Sequence, residues 1–466
     1  MTAQLQTIKQ LSLTFLIAAV PVLGFAQDTS LSLETALKQL SSGPDWQNAD
    51  LTYTASERAL ESARAAAGVR VNAGSDYALS QRIDTDNAAN SGATIKADAS
   101  IGLLPWSASF DAIRSAERNL AKASLDRRDQ HNQAYINASN QYFTLRSSQT
   151  DLELAEATLK WREGQLAVGQ KQAALGQITR ENMTTQQVNL ENAKSNLQQA
   201  QTTLEINRLT LANTLGVNAD GLNLTSSAPV EPKIPTETLE ALIKQAWAKR
   251  SDVRKASIAL EQAEDDLGNA ERDRWLPNAS INLGIGQQYS AKGAANVQGV
   301  QFNTGLNFQT GNFSVSGSTP VYSSSLTDDY TSSTTYTLSA SISVPVWSPL
   351  GDAKTASAQR NLDAAKAALE SSKRSAELDV RNQYLGLVNA KNRSGVSRLS
   401  QTQSAQSLET AQAKLDAGLV TALDLENARI QKRQSDRDLD TSISTAQVAG
   451  LRLEHALGFE LGVSRP

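Results

Sequence analysis

The sequence predicts a mixed α and β protein built as a tandem duplication, with long coiled-coil helical hairpins and amphipathic strands of the kind that build membrane barrels. Three observations lead there. Residues 106 to 228 and 350 to 465 contain no proline and are rich in Ala, Leu, Gln, Glu, Lys and Arg, the better helix formers. The segments before them alternate apolar and polar residues with a period of two. Motifs from the first half recur in the second at a nearly constant spacing.

Composition narrows the function classes. The 466 residues include 44 Lys and Arg, 48 Asp and Glu, two His and no Cys, with a formal charge of −4 and 40% hydrophobic residues. That is a folded, mildly acidic chain. Without cysteine there can be no disulfides, thiolate nucleophiles or Cys-held metal clusters. Scattered Lys and Arg give no concentrated positive field, so nucleic acid is not an expected partner. His131 and His455 stand far apart in helical segments, and Gly284-Ile-Gly286 lies in a strand with no helix behind it. Neither a His-based metal site or triad nor a dinucleotide loop is expected. No catalytic, cofactor-binding or metal-binding residue is assigned, and the chain is not expected to be an enzyme.

Residues 1–26 read as a secretory signal peptide. Lys9 precedes an apolar run from Leu11 to Leu23, 13 residues long, and Gly24-Phe25-Ala26 supplies the small residues of a cleavage site. The run is short of the ~20 residues a membrane-spanning helix needs. The rest divides into a first repeat over 27–228 and a second over 229–466.

The first repeat opens on a helix at Leu31-Ser-Leu-Glu-Thr-Ala-Leu37. Two strands follow: Val69, Val71, Ala73, Tyr77 and Leu79 alternate with Arg70, Asn72, Gly74 and Asp76, and Ile95, Ala97, Ala99, Ile101 and Leu103 alternate with Lys96, Asp98, Ser100 and Gly102. Strands of roughly 9 to 11 residues with one apolar side suit a membrane barrel, although the pattern alone also fits a soluble sandwich. No later segment approaches a transmembrane helix, so strands must carry any membrane insertion. Ser107 to Val168 then reads as one helix, ~93 Å long at ~1.5 Å per residue. Leu145, Leu152, Leu159 and Leu166 lie seven apart, as do Met183, Leu190, Leu197, Leu204 and Leu211. That period gives left-handed coiled-coil packing, and an ordinary coiled-coil rod shares it. Gly169 and Gly176 are the break signals, with Thr179 the next N-cap.

The second repeat restates this plan. Asn140-Gln-Tyr-Phe143 recurs as Asn382-Gln-Tyr-Leu385, and Leu175-Gly-Gln-Ile-Thr179 as Ala417-Gly-Leu-Val-Thr421, both offset by 242. The leading helices match at about 206, so about 36 extra residues lie between the second pair of strands, in roughly 290–330. That insert contains an additional hairpin around Thr310-Gly-Asn312. The residues leave open whether it adds strands to the sheet or stands outside it; an extracellular extension is the expectation.

The signal peptide, the duplication, the strand ends Leu104-Pro-Trp106 and Val344-Pro-Val-Trp347, and the run Ala417-Gly-Leu-Val-Thr-Ala-Leu-Asp-Leu-Glu-Asn-Ala-Arg429 resemble the outer membrane efflux protein (TolC-like) family over residues 30 to 460. The resemblance implies a homotrimer, each copy giving four strands to a 12-stranded outer-membrane barrel and its helices to a periplasmic tunnel. It implies an exit duct of a tripartite efflux or type I secretion system, passive towards small molecules or polypeptides. Its implied partners are a periplasmic adaptor protein, an inner-membrane transporter and outer-membrane lipid, with no cofactor. A structural coiled-coil tether with a β anchor is the alternative.

By the same resemblance the hairpin tips form the periplasmic entrance and contact the adaptor: Gly176, Gln177, Ile178 and Thr179 in the first hairpin, Gly418, Leu419, Val420 and Thr421 in the second. Asp424 falls where the family commonly narrows the closed entrance with an aspartate, and Glu426 is close by. The equivalent residue in the first repeat is Asn182, beside Glu181 and Arg180. Helix capping by these groups is the plain alternative. A tip arginine that some members use as a lock aligns with Val420, leaving Arg180 as the candidate substitute. Trp106, Trp347, Trp275, Tyr77, Tyr289 and Tyr336 are candidates for the aromatic girdles. Asp84, Asp86, Asp328 and Asp329 read as solvated outer-loop residues.

Overall fold

The computed structural model describes residues 30–80, 90–220, 222–224, 228–291, 297–323, 330–344 and 348–462. The signal peptide, Trp347 and the loop aspartates 84, 86, 328 and 329 lie outside the described residues. The first half contains β1 (Ser30–Leu31), α1 (Leu33–Gln39), α2 (Pro44–Ala66), β2 (Arg70–Ser80), β3 (Asn90–Gly102), α3 (Ala108–Ala174), α4 (Arg180–Leu215) and β4 (Asn223–Leu224). The second contains α5 (Leu239–Lys249), α6 (Ser251–Trp275), β5 (Asn278–Ala291), β6 (Val297–Asn307), β7 (Asn312–Ser323), β8 (Tyr330–Ser343), α7 (Pro349–Asp416) and α8 (Ala422–Ala456).

The helices form two long antiparallel layers. α3 has 67 residues and α7 has 68, about 100 Å each at ~1.5 Å per residue. Two shorter helices lie in succession along each. Arg64 meets Glu117 at 3.0 Å and Arg127 meets Asp50 at 2.6 Å, so α2 runs back along the first half of α3. Farther on, Asn207 Nδ2 donates to Ser148 Oγ at 2.6 Å, so α4 runs back along the second half. α6 and α8 flank α7 in the same way, through Arg274–Asp352 at 2.6 Å and Gln401 Nε2 to Asp436 Oδ1 at 2.9 Å. The heptad leucines are the reason: Leu145, Leu190 and Leu211 are buried, and none of the others on the two seams is exposed.

Two apolar cores lock the layers near their middles. One gathers Leu40, Tyr142, Leu145, Leu211 and Leu215; the other gathers Leu242, Val380, Leu387, Leu453 and Leu457. Leu145 and Leu387, Leu211 and Leu453, and Leu215 and Leu457 each stand 242 apart. Arg250 ties the second core to its surroundings from the break between α5 and α6, contacting Asp252 at 2.9 Å and Asp379 of α7 at 2.5 Å. Burial opposes its charge, but these carboxylates outweigh it and raise its pKa.

Two readings of the sequence are corrected. Gly169 does not break α3, which continues to Ala174; a Cβ there would collide with the Gln186 side chain, so the glycine admits close approach of α4. The inserted hairpin is not an extension outside the sheet. β6 and β7 lie inside one six-stranded antiparallel sheet of order β2-β3-β7-β6-β5-β8, against the four strands the family resemblance implied. A period of two shows which face of a strand is apolar and says nothing about its neighbour, so alternation alone does not place the insert.

The sheet presents one apolar face outward. Val71, Tyr77, Leu79, Ile95, Ile281, Leu283, Ile285, Phe302, Tyr336, Leu338 and Ile342 are all 40–75% exposed. The alternate positions are nearly all Ser, Thr, Asn, Gln and Gly; Arg70, Asp76, Lys96 and Asp98 are charged exceptions, Lys96 paired with Asp76 and Asp98 accepting from Asn72 at 2.9 Å. Of the girdle candidates, Trp275, Tyr77 and Tyr336 are exposed. Trp106 is instead held at the strand–helix junction by donating to the Phe308 carbonyl at 2.9 Å. Among the described residues no helix is long and apolar enough to cross a membrane.

Candidate functional site

Both helical hairpins turn by the same local chemistry. After α3, Gly176 adopts φ +67°, its N–H donates to the Ala173 carbonyl at 3.0 Å, and Gln177 N–H donates to Gln172 at 2.8 Å. After α7, Gly418 adopts φ +71°, with bonds to Leu415 at 2.9 Å and from Leu419 to Lys414 at 2.8 Å. This 6→1 and 5→2 pair satisfies the last carbonyls of each helix and needs a left-handed residue, which glycine supplies without strain. Leu175 and Leu419 are left 72% and 74% exposed at the two tips, each beside the glycine.

The returning helices start differently. Thr179 caps α4 by accepting from Asn182 N–H at 3.2 Å. Thr421 caps α8 by accepting from Asp424 N–H at 3.3 Å, and Asp424 answers: its carboxylate accepts from Thr421 N–H at 2.9 Å and from Thr421 Oγ at 2.7 Å. The reciprocal box forms in the second tip and not in the first. The Thr421 hydroxyl, then its backbone N–H, hold the Asp424 carboxyl below its ordinary pKa, so it carries its charge. Asp424 is exposed, whereas Glu426 is half-buried and pairs with Arg429 at 3.2 Å. Glu181 and Asn182 are exposed. Arg180 is also exposed.

Trp161 connects the hairpins at this end and was not singled out by the sequence reading. Its indole N–H, on α3, donates to the Leu423 carbonyl in the first turn of α8 at 3.1 Å. Gly164, one turn farther along α3, faces the same residue: a Cβ there would lie 2.8 Å from Leu423 Cδ2. A tryptophan followed three residues later by a mid-helix glycine is the signal that could have drawn attention to this crossing. Above it, α3 and α8 are joined by Arg437–Asp151 at 2.9 Å and Arg146–Asp440 at 2.7 Å. Among the described residues no cluster of His, Asp and Glu is arranged to hold a metal ion.

Residues 242–458 match the family described as Outer membrane efflux protein. A comparison with curated proteins finds no match. Among solved structures, the chain is similar to the CmeC outer membrane channel of Campylobacter jejuni, with TM-score 0.65, 14% identity, and coverage of 93% of this chain and 87% of that one. It is similar to the open state of the MtrE outer membrane channel of Neisseria gonorrhoeae, with TM-score 0.63, 18% identity, and coverage of 92% and 89%. It is also similar to the outer membrane protein VceC of Vibrio cholerae, with TM-score 0.60, 16% identity, and coverage of 91% and 96%. At these identities the likeness concerns the fold, and it runs through nearly the whole chain.

Proposed function

We propose, from the match of residues 242–458 to the outer membrane efflux protein family, that the chain is the exit duct of an efflux system: a barrel in the outer membrane continued by a helical tunnel in the periplasm. The observation that carries this is the outward apolar face of the sheet. A continuous patch bearing Val71, Tyr77, Leu338 and Ile342, each more than two-thirds exposed, belongs against lipid, and the Ser- and Asn-rich opposite face against water. The sheet has two free edges and cannot stand in lipid alone, so copies of the chain complete the barrel, three of them by the family resemblance.

In this reading residues 1–26 direct export and are removed, and the two repeats, 27–228 and 229–466, each supply one hairpin to the tunnel. An inner-membrane transporter drives cargo through a periplasmic adaptor that docks on the tips Gly176 to Thr179 and Gly418 to Thr421. Leu175 and Leu419 offer that adaptor exposed apolar contacts. Asp424, with Glu426 behind it, forms an acidic ring when three copies meet, and Asn182 makes the first repeat's contribution neutral. The duct is passive, needs no cofactor, and catalyses nothing. The test is reconstitution: purified protein in planar bilayers conducts ions, and native mass spectrometry in detergent gives three copies. A monodisperse monomer without conductance overturns the proposal.

A further inference from the structure

The inserted hairpin is built into the wall of the sheet. β7 pairs with β3 along its length, from Gly102 opposite Asn312 to Gly92 opposite Ser323, and β6 pairs with β5 from Ser280 opposite Asn307 to Tyr289 opposite Val297. Lateral rungs cross the insert where Gln301–Asn307 pairs with Asn312–Ser318, and register shifts at Ala93/Thr94 and Gly286/Gln288 lie beyond them. Ile101, Phe313, Leu306, Ile281 and Ala340 form one rung on the apolar face, and Ser100, Ser314, Gly305, Asn282 and Ser339 form the neighbouring rung on the polar face.

The turn of the hairpin is bolted to the helical end of the sheet. The Gly311 carbonyl accepts from Leu103 and Leu104 N–H at 2.8 and 3.1 Å, and Phe308 N–H donates to Ala279 at 2.8 Å. Gly311 has φ +68°, and a Cβ on it would lie 2.9 Å from Leu104 Cβ, so no larger residue fits the junction. The hairpin therefore spans the same height as its neighbours.

Strand direction alternates across all six strands, so the free edges β2 and β8 run oppositely. A β8 edge from one copy set against the β2 edge of the next continues the alternation, and both edge strands are exposed along their described length. Head-to-tail pairing of this kind closes under rotation. We infer that the β6–β7 hairpin is a structural part of the barrel and that copies join β8 to β2, so three copies close a barrel of eighteen antiparallel strands rather than the twelve that four per copy would give. The copy number rests on the trimer proposed above; the position of the hairpin does not. At ~4.8 Å between strands and ~40° of tilt, eighteen strands give a wall-to-wall diameter of about 36 Å against about 24 Å for twelve. The insert adds polar positions, Gln301, Asn303, Gly305, Ser314, Ser316 and Ser318, to the inward face, so the extra width is lined for water. The outer end of the duct then admits folded or bulky hydrophilic solutes that a twelve-stranded barrel would stop.

The cysteine-free chain allows this to be read by cross-linking. Ser100→Cys with Ser314→Cys joins β3 to β7, and Ser280→Cys with Ser341→Cys, whose hydroxyls lie 2.9 Å apart, joins β5 to β8 as a positive control. In membranes both pairs should oxidise to intrachain disulfides. Ser339→Cys combined in turn with Asn72→Cys, Gly74→Cys and Asp76→Cys should give interchain ladders that end at the copy number found by native mass spectrometry. Deleting Val297–Ser323 should cut the largest polymer diameter admitted from the outer side by about one third or more. A control pair that closes while Ser100/Ser314 stays open overturns the inference, as does an unchanged polymer cut-off in an inserted deletion variant. A copy number other than three, with both intrachain pairs closed, overturns the trimer and the count of eighteen while leaving the hairpin in the wall.

Discussion

Replacing Trp161 by Phe tests whether the crossing of α3 and α8 fixes the entrance. The substitution keeps most of the ring and removes the 3.1 Å bond to the Leu423 carbonyl. A carbonyl has two lone pairs, and Leu423 keeps its helical acceptor role, so no buried group is orphaned and the cost falls in the lower part of the usual range for a neutral hydrogen bond, about 0.5–1 kcal/mol. That corresponds to about a 2- to 5-fold increase in local opening of the first turn of α8. Hydrogen exchange on a peptide spanning 422–427 reads this directly, and single-channel recording should show longer or more frequent open periods because Asp424 sits in the same turn. Trp161→Phe exchanging like the wild type over 422–427, with a slower peptide from mid-α8 as the internal standard, would refute the claim that the indole holds this turn.

Asp424→Asn should weaken the cation preference of the duct, checked by the reversal potential in a salt gradient. In the wild type that preference should survive acidification past pH 3.8: the folded carboxyl is depressed, so its charge and capping contribution are present above the ordinary aspartate value and are lost only as pH falls through the lower folded one. Arg250→Ala leaves Asp252 and Asp379 without their partner, and because both carboxylates remain partly exposed, the loss should be about 2–3 kcal/mol rather than the larger penalty of a sealed pair; a lower thermal midpoint checks it. Leu338→Arg introduces a charge on the lipid face at a cost of about 2–4 kcal/mol per copy near mid-membrane, and should reduce inserted protein on outer-membrane fractionation. Ser339→Arg, one residue on and facing the polar side, should insert normally.

Much of this architecture is legible in the residues. The heptads of Leu145 to Leu166 and Met183 to Leu211 fix the pairing of α3 with α4, because a seven-residue period admits only one kind of seam. Val71, Ile95 and Leu338 announce amphipathic strands, and the paired glycine–threonine tips announce turns. What was not legible depends on partners distant in sequence. Gly169 looks like a helix break, yet its cause is Gln186 across the hairpin. The hairpin of Phe302 and Phe313 has the same alternation whether it pairs with β3 and β5 or projects beyond them. At the candidate site, the threonine caps were visible, but the reciprocal bonds of Asp424 and the reach of Trp161 required coordinates.

The pairing of β3 with β7 has a consequence for biogenesis. Each helical layer joins segments close together in sequence, so both can assemble from local contacts. β3 instead waits for Asn312–Ser323, which follows an entire helical hairpin and a second set of strands. Until then the β3 edge that β7 covers stands open, with only β2 beside it. The β3–β7 contact is therefore slow to close relative to the local helical hairpins, and in the interval an open strand edge is exposed to aggregation and proteolysis.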